Sequence, residues 1–259
     1  MQLIDIFKYG LDHGQFPRYL YKYRTIDQTK QIISNPALFF PSYDRLNDPF
    51  ECFAHIECNV NENDVYKFLL LQGIPDRLAN IKAREMVGNI DLLDKIVKDA
   101  IQYVMENIGI LSLSSSPIIP SMFNNYSNAY TGSCIEFDLT KELDTFYFPK
   151  EVQYSNDMPR FDYIKAIVND NADVTTEALF HKTTDWSYEK EYRVIKMGKA
   201  NKLISINPEC ITSIIFGKDA SLNDINAVKE IIASQGYNWI TCKQAQVLPT
   251  SPSLQLTNI

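Results

Sequence analysis

Between Trp186 and Arg193 the chain gathers Trp186, Tyr188, Glu189, Glu191 and Arg193 within eight positions. Carboxylates beside an arginine and aromatic rings can bind a planar ligand, hold charge and move a proton. The stretch ends in Tyr192-Arg193-Val194-Ile195, β-branched and aromatic, which predicts a strand. Asp185 or Ser187 can cap a short turn before it. If the strand already runs at Glu189, then Glu189 and Glu191 share one face and Tyr192 and Val194 the other.

Composition narrows the chemistry. The chain has 259 residues, 45% of them apolar, enough for one large core or two small ones. With 25 basic against 32 acidic residues the net charge is −7, which argues against a protein that holds nucleic acid non-specifically through phosphates. Cys52, Cys58, Cys134, Cys210 and Cys242 form no Cys-x-x-Cys pair, so neither a disulfide framework nor a structural metal is expected. His13, His55 and His181 are too dispersed for a metal cluster. The N-terminus has no basic segment leading into an apolar run, and no stretch approaches the ~18 apolar residues of a membrane span. A soluble, cytoplasmic protein with no membrane partner is the expectation.

The elements that must position these residues follow from periodicity. A short helix opens residues 1–18, and Tyr19–Arg24 alternates as a first strand. A helix over 27–34, capped by Thr25 or Asp27, ends at Asn35-Pro36, and Leu38–Phe40 is a short strand. The loop from Pro41 to Pro49 is rich in turn formers; Asn47–Glu51 reads as a tight turn with Asx hydrogen bonds, leaving Asp48 and Glu51 open to chemistry. Residues 61–107 carry three amphipathic segments, to Leu71, over 76–87 and over 91–107. Strands follow at 109–114, 133–137 and 151–154, with Met122 to Gly132 as a loop and helices near 161–169 and 174–181. After 192–195 come strands at 203–206 and 212–217, a helix over 222–235 closed by Gly236, and strands at 238–242 and 245–248. The fold class is α+β: a mixed, mainly antiparallel sheet with helical blocks. Residues 1–248 form a single domain with a helical insertion at about 61–107, and 249–259 a polar, loose tail.

Five ordered pieces resemble the bacterial domain-of-unknown-function (DUF) family 2971. They are Tyr21–Arg24 with Leu38–Ser42 and Leu46–Glu51; Gly109–Ser114; Met122 to Gly132 with Cys134-Ile135-Glu136-Phe137; Asp185–Arg193; and Ile214–Lys218. Such proteins carry Met-Trp-Ser-His-Tyr where this chain has Met122 to Tyr126, so Asn125 replaces a histidine. The layout is also similar, more distantly, to ADP-ribosyltransferases, which place an Arg or His on a first strand, a Ser, Thr or Tyr after the next, and a Glu near a late strand. Arg24, then Ser42 or Tyr43, then Glu191 or Glu189 occupy that order.

That second resemblance implies an NAD-consuming ADP-ribosyltransferase-like fold and activity, in an anti-phage defence effector or a toxin. Arg24 would clamp the NAD pyrophosphate, Ser42 fix the glutamate or ribose, and Tyr43 or Tyr126 stack on nicotinamide, with Asn125 on the pocket wall. Glu191 would stabilise the cationic transition state, and Glu189 would orient or deprotonate a protein or nucleic-acid acceptor. For Arg24 the alternative is an ion pair closing the sheet, with Glu189, Glu191 or Asp48, and for Glu191 it is a plain salt bridge to Arg193 at a strand edge. For the whole chain the alternatives are a metal-dependent nuclease or hydrolase built on Asp48, Glu51, Glu189 and Glu191, or a non-catalytic sensor or interaction module that binds a small-molecule ligand or a phage protein.

Overall fold

A computed structural model describes residues 2–48, 50–52, 54–169, 177–251 and 253–259. The chain divides into two compact units. The first comprises Met1–Pro41, Gly109–Val152 and Asp185–Ile259, and the second Ser42–Ile108 and Gln153–Thr184.

The first unit is built on an eight-stranded sheet. Its strands are β1 (Tyr19–Arg24), β4 (Ile108–Ser114), β5 (Ser133–Asp138), β6 (Lys150–Glu151), β10 (Glu191–Met197), β12 (Ile211–Phe216), β13 (Thr241–Val247) and β14 (Leu254–Asn258). Their order is β14-β13-β12-β5-β1-β4-β10-β6. β1 and β12 pair antiparallel with β5, and β12 with β13 is parallel. A two-stranded ribbon of β2 (Ala37–Phe40) and β11 (Lys202–Ser205) completes the strands of this unit.

Alternation along the strands divides their side chains between two cores. Leu20, Phe137, Ile135, Leu113, Val194 and Ile214 belong to one, with Ile26 and Ile33 of α2 (Ile26–Ser34), Val228 of α8 (Leu222–Ser234) and Phe7 of α1 (Leu3–Asp12). Tyr23, Cys134 and Ile215 belong to the other, with Phe123 of α6 (Pro120–Tyr126) and Leu254 of β14. A period of two residues sends neighbours to opposite faces, so these cores mark the two faces of the sheet.

The helix starts follow local chemistry. Thr25 and Gln28 form a reciprocal capping box at α2, and Ser221 caps α8 through the Asp224 amide. Gly236, with φ +72°, lies just past the end of α8, where a left-handed residue stops a helix.

The second unit has its own core. Val65 and Leu69 of α3 (Glu62–Leu71), Ala79 and Ala83 of α4 (Asp76–Val87), Leu93 and Val97 of α5 (Ile90–Asn107) and Ile164 of α7 (Tyr163–Val168) pack together. Two parallel pairs edge it: β3 (His55–Glu57) with β8 (Arg160–Asp162), and β7 (Gln153–Tyr154) with β9 (His181–Lys182).

The α+β class with its mixed, mainly antiparallel sheet matches the expectation, and so do the first two strands and the three amphipathic helices. Several boundaries differ. Met122–Tyr126 is helical, because Pro120 at the first helical position presets φ for a turn that Phe123 anchors in the core. The strand expected over 151–154 divides into β6 and β7, which pair with different partners. The strands expected at 238–242 and 245–248 are one strand, β13. The tail expected to be loose supplies β14, held by five residue pairs to β13 and by buried Leu254. Residues 174–176 of the expected 174–181 helix lie outside the described residues; Ala178–Phe180 is a 3-10 turn and His181 begins β9. The helical stretch 61–107 lies in a larger unit than the expected insertion, joined there by Gln153–Thr184.

Candidate functional site

The aromatic and acidic run folds as a 3-10 helix over Thr184–Glu189 and then β10 from Glu191. Lys190 between them has φ +48°, a left-handed residue that turns the chain into the strand. Two hydrogen bonds from the end of β4 fix this junction. The Ser114 hydroxyl donates to the Glu189 carbonyl at 2.7 Å, and the Ser115 amide to the Lys190 carbonyl at 3.0 Å. The strand therefore does not extend to Glu189, and the two glutamates are not strand neighbours on one face, as the sequence left open. Glu189 arrives from the turn, Glu191 from the strand.

Both glutamates are buried, at 4% and 3% exposure. The Tyr126 hydroxyl, from the last turn of α6, donates to Glu189 Oε1 at 2.5 Å. Asn125, exposed beside it, donates from Nδ2 to the Tyr188 hydroxyl at 3.1 Å and accepts from Asn124 Nδ2 at 2.9 Å. Trp186 leans on Tyr188, ring centroids 6.2 Å apart, and is only partly buried. Arg193, fully buried, grips Glu191 with two bonds, Nε to Oε1 at 2.8 Å and an Nη to Oε2 at 3.1 Å. This is a fork-on-carboxylate pair, the strong geometry for such groups. Tyr126, Asn125, Tyr188 and Glu189 thus converge, with the Glu191–Arg193 pair on the next strand positions.

Arg24 does not join them. It follows Leu20 and Lys22 along one face of β1, the face of the Leu20 core. Glu191 and Arg193 alternate with Tyr192 and Val194, which pack on that same core, so they project from the other face. Arg24 instead lines a cavity of about 620 Å³ with α2, β2 and β11. Burial pushes its pKa down to about 10. Beside it Lys22 donates to the Ser112 carbonyl at 2.6 Å, and burial, then the charge of Arg24, hold its pKa well below the ordinary lysine range.

Ser42 and Tyr43 belong to the second unit. Ser42 leads a 3-10 turn over Tyr43–Arg45 and its hydroxyl donates to Asp44. Asp48 makes the expected Asx turn, accepting from the Phe50 amide at 2.9 Å. Glu51 is buried and pairs with Lys182 at 3.4 Å, a contact across 131 positions that no local pattern announces. His181 is buried next to Lys182, and neither ring nitrogen has a hydrogen-bond partner among the described residues. Among those residues, no group of three or more His, Cys, Asp or Glu is arranged to hold a metal ion. No described helix is long and apolar enough to cross a membrane.

Sequence reasoning paired Glu189 with Glu191 and weighed a Glu191–Arg193 salt bridge, which the structure forms, but overlooked Ser114 as the anchor of Glu189. The spacing Glu191-x-Arg193 on a strand carried the signal for the salt bridge, because residues two apart share a face.

No curated protein and no solved structure matches the chain. A protein-family model described as "Protein of unknown function (DUF2971)" matches residues 122–194, the stretch that carries Asn125, Tyr126, Glu189, Glu191 and Arg193.

Proposed function

We propose that the protein is an NAD-consuming, ADP-ribosyltransferase-like enzyme centred on Glu189, acting as a defence effector or toxin. One observation carries the reading: Glu189, held by the Tyr126 hydroxyl at 2.5 Å, meets the Asn125–Tyr188 pair within the family-matched stretch. In the reaction the bond between the NAD ribose C1′ and nicotinamide breaks, and nicotinamide leaves with the electron pair. The Glu189 carboxylate stabilises the positive charge that builds on the ribose. The acceptor then bonds to C1′, and its proton passes to Glu189. Tyr126 fixes the carboxylate in one orientation. Both oxygens of Glu191 are engaged by Arg193, so its part is to position and to contribute charge, whereas the sequence favoured it as the transition-state carboxylate. Arg24, on the opposite face, is not the pyrophosphate clamp of this site.

Calorimetric titration with NAD, alongside nicotinamide release by wild type and Glu189→Gln, tests the reading. Wild type is expected to bind and release, and Glu189→Gln to release about a hundredfold more slowly, the loss of a placed charge and a base. Absence of binding at millimolar NAD sinks it. A second reading, a non-catalytic ligand-binding module, is favoured by the burial and internal bracing of Glu191, which also suit the cement of a sheet. NAD binding with no nicotinamide release above the protein-free rate would favour that module.

A further inference from the structure

The cavity beside Arg24 lies on the other face of the sheet from Glu191, and its lining residues all belong to the first unit. Its walls are Arg24 at the end of β1, Gln28, Gln31 and Ile32 of α2, and Phe39 and Leu203 of the β2–β11 ribbon. At about 620 Å³ it falls in the size range of small-molecule sites, roughly 300–1,000 Å³.

Two features of the walls call for an occupant. The first is charge. Arg24 is the one charged side chain among the described lining residues. Its guanidinium carries five N–H donors, and its hydrogen bond is from Nη1 to the Tyr23 carbonyl, 3.1 Å away. Among the described residues no carboxylate lies within ion-pair distance of it. Arg193, by contrast, has Glu191 at 2.8 Å and Arg18 has Asp138 at 2.8 Å. A guanidinium partly drawn out of water without a counter-ion is costly, and desolvation lowers its pKa. The second is apolar surface. Phe39 and Leu203 face each other across the ribbon and remain 38% and 68% exposed at the cavity's edge. A cation and an apolar pair on one cavity match a molecule with an anionic end and a planar or apolar body.

We infer that this cavity binds a small molecule carrying an anionic oxygen group, carboxylate or phosphate, with the anion on the Arg24 fork and the body against Phe39 and Leu203. The site is independent of Glu189 and of the NAD reaction. An acid bound here neutralises a partly buried cation that has no carboxylate partner among the described residues.

The test is calorimetric titration of the full chain with two acid probes, adenosine 5′-monophosphate and benzoate, each beside its uncharged counterpart, adenosine and benzamide. At least one acid is expected to bind about tenfold or more tightly than its counterpart. Preference for the monophosphate identifies a phosphate ligand, and preference for benzoate a carboxylate. Arg24→Gln should erase the gap between acid and counterpart. Leu203→Asp, at an exposed position where folding is not at stake, should weaken the acid by about tenfold, which keeps the test decisive if Arg24→Gln does not fold. Neither acid exceeding its counterpart, or an acid that binds wild type and Leu203→Asp alike, overturns the assignment.

Discussion

At the scale of residues, the charged groups near the sheet fall into two kinds. Arg193 and Glu191 are buried and matched, 0% and 3% exposed with a bidentate pair between them. Removing one partner strands the other charge, whereas replacing both with apolar groups costs far less. Arg193→Met is therefore expected to destabilise the fold by about 3–5 kcal/mol, and Arg193→Met with Glu191→Leu to recover most of that, read by urea unfolding. Lys22 is buried with a carbonyl as its partner, and its folded pKa lies below the ordinary lysine range because burial, and then Arg24, disfavour its charge. Between that lowered pKa and the unfolded value of about 10.4 the unfolded chain binds the extra proton, so stability rises with pH across this window and is lowest below it. Lys22→Met should remove this rise. The difference between wild type and variant isolates it from Arg24, which titrates at about 10. A wild-type slope that survives in Lys22→Met would show that the proton is bound elsewhere.

At the scale of elements, the site depends on a turn that is costly to make. After α6, Asn128, Ala129 and Tyr130 have φ of +46°, +50° and +68°. Left-handed backbone costs L-residues roughly 1–2 kcal/mol each, and the surrounding hydrogen bonds hold it in place. The amides of Ala129 and Tyr130 donate to the carbonyls of Asn124 and Phe123, both at 3.1 Å. The Gly217 amide donates to the Gly132 carbonyl at 2.9 Å, and the Asp219 amide to the Tyr130 carbonyl at 3.2 Å. Gly217 lies so close that an added Cβ would sit 2.0 Å from the Tyr130 oxygen. Gly217→Ala must push the turn away and with it the end of α6 that carries Asn125 and Tyr126. A loss of about 1–3 kcal/mol in chemical denaturation is expected, the cost of overpacking. In the sequence Gly217 reads only as the end of a strand; nothing there reveals that the 128–132 backbone rests on it.

At the scale of the whole molecule, two units with separate hydrophobic cores share one chain. Their strands and helices differ in kind: a sheet of eight strands in one, helices α3, α4, α5 and α7 around Val65 and Val97 in the other. Native-state hydrogen exchange is therefore expected to resolve two cooperative groups of amides, one across β1, β5 and β12 and one across α3 to α5. Ile214→Ala, which empties volume at a fully buried position of the sheet core, should accelerate the first group by an amount equivalent to about 2–5 kcal/mol. One common opening free energy for all protected amides would count against two cooperative units.

The sequence by itself determined what short-range physics controls. Alternation marked β1, helical spacing marked α3 to α5, Thr25 announced α2 as its cap, and Gly236 marked the end of α8. It also singled out Glu189, Glu191, Asn125 and Tyr126. Only the tertiary structure decided which of these meet. Whether Arg24 stands with Glu191 or behind it depends on which strands lie between them and on the face each presents, and a shift of one residue reverses a face. The Tyr126–Glu189 bond spans 63 positions, and the pairing of β14 with β13 gave order to a tail whose composition had suggested none. Such contacts depend on chain topology, and no local pattern encodes them.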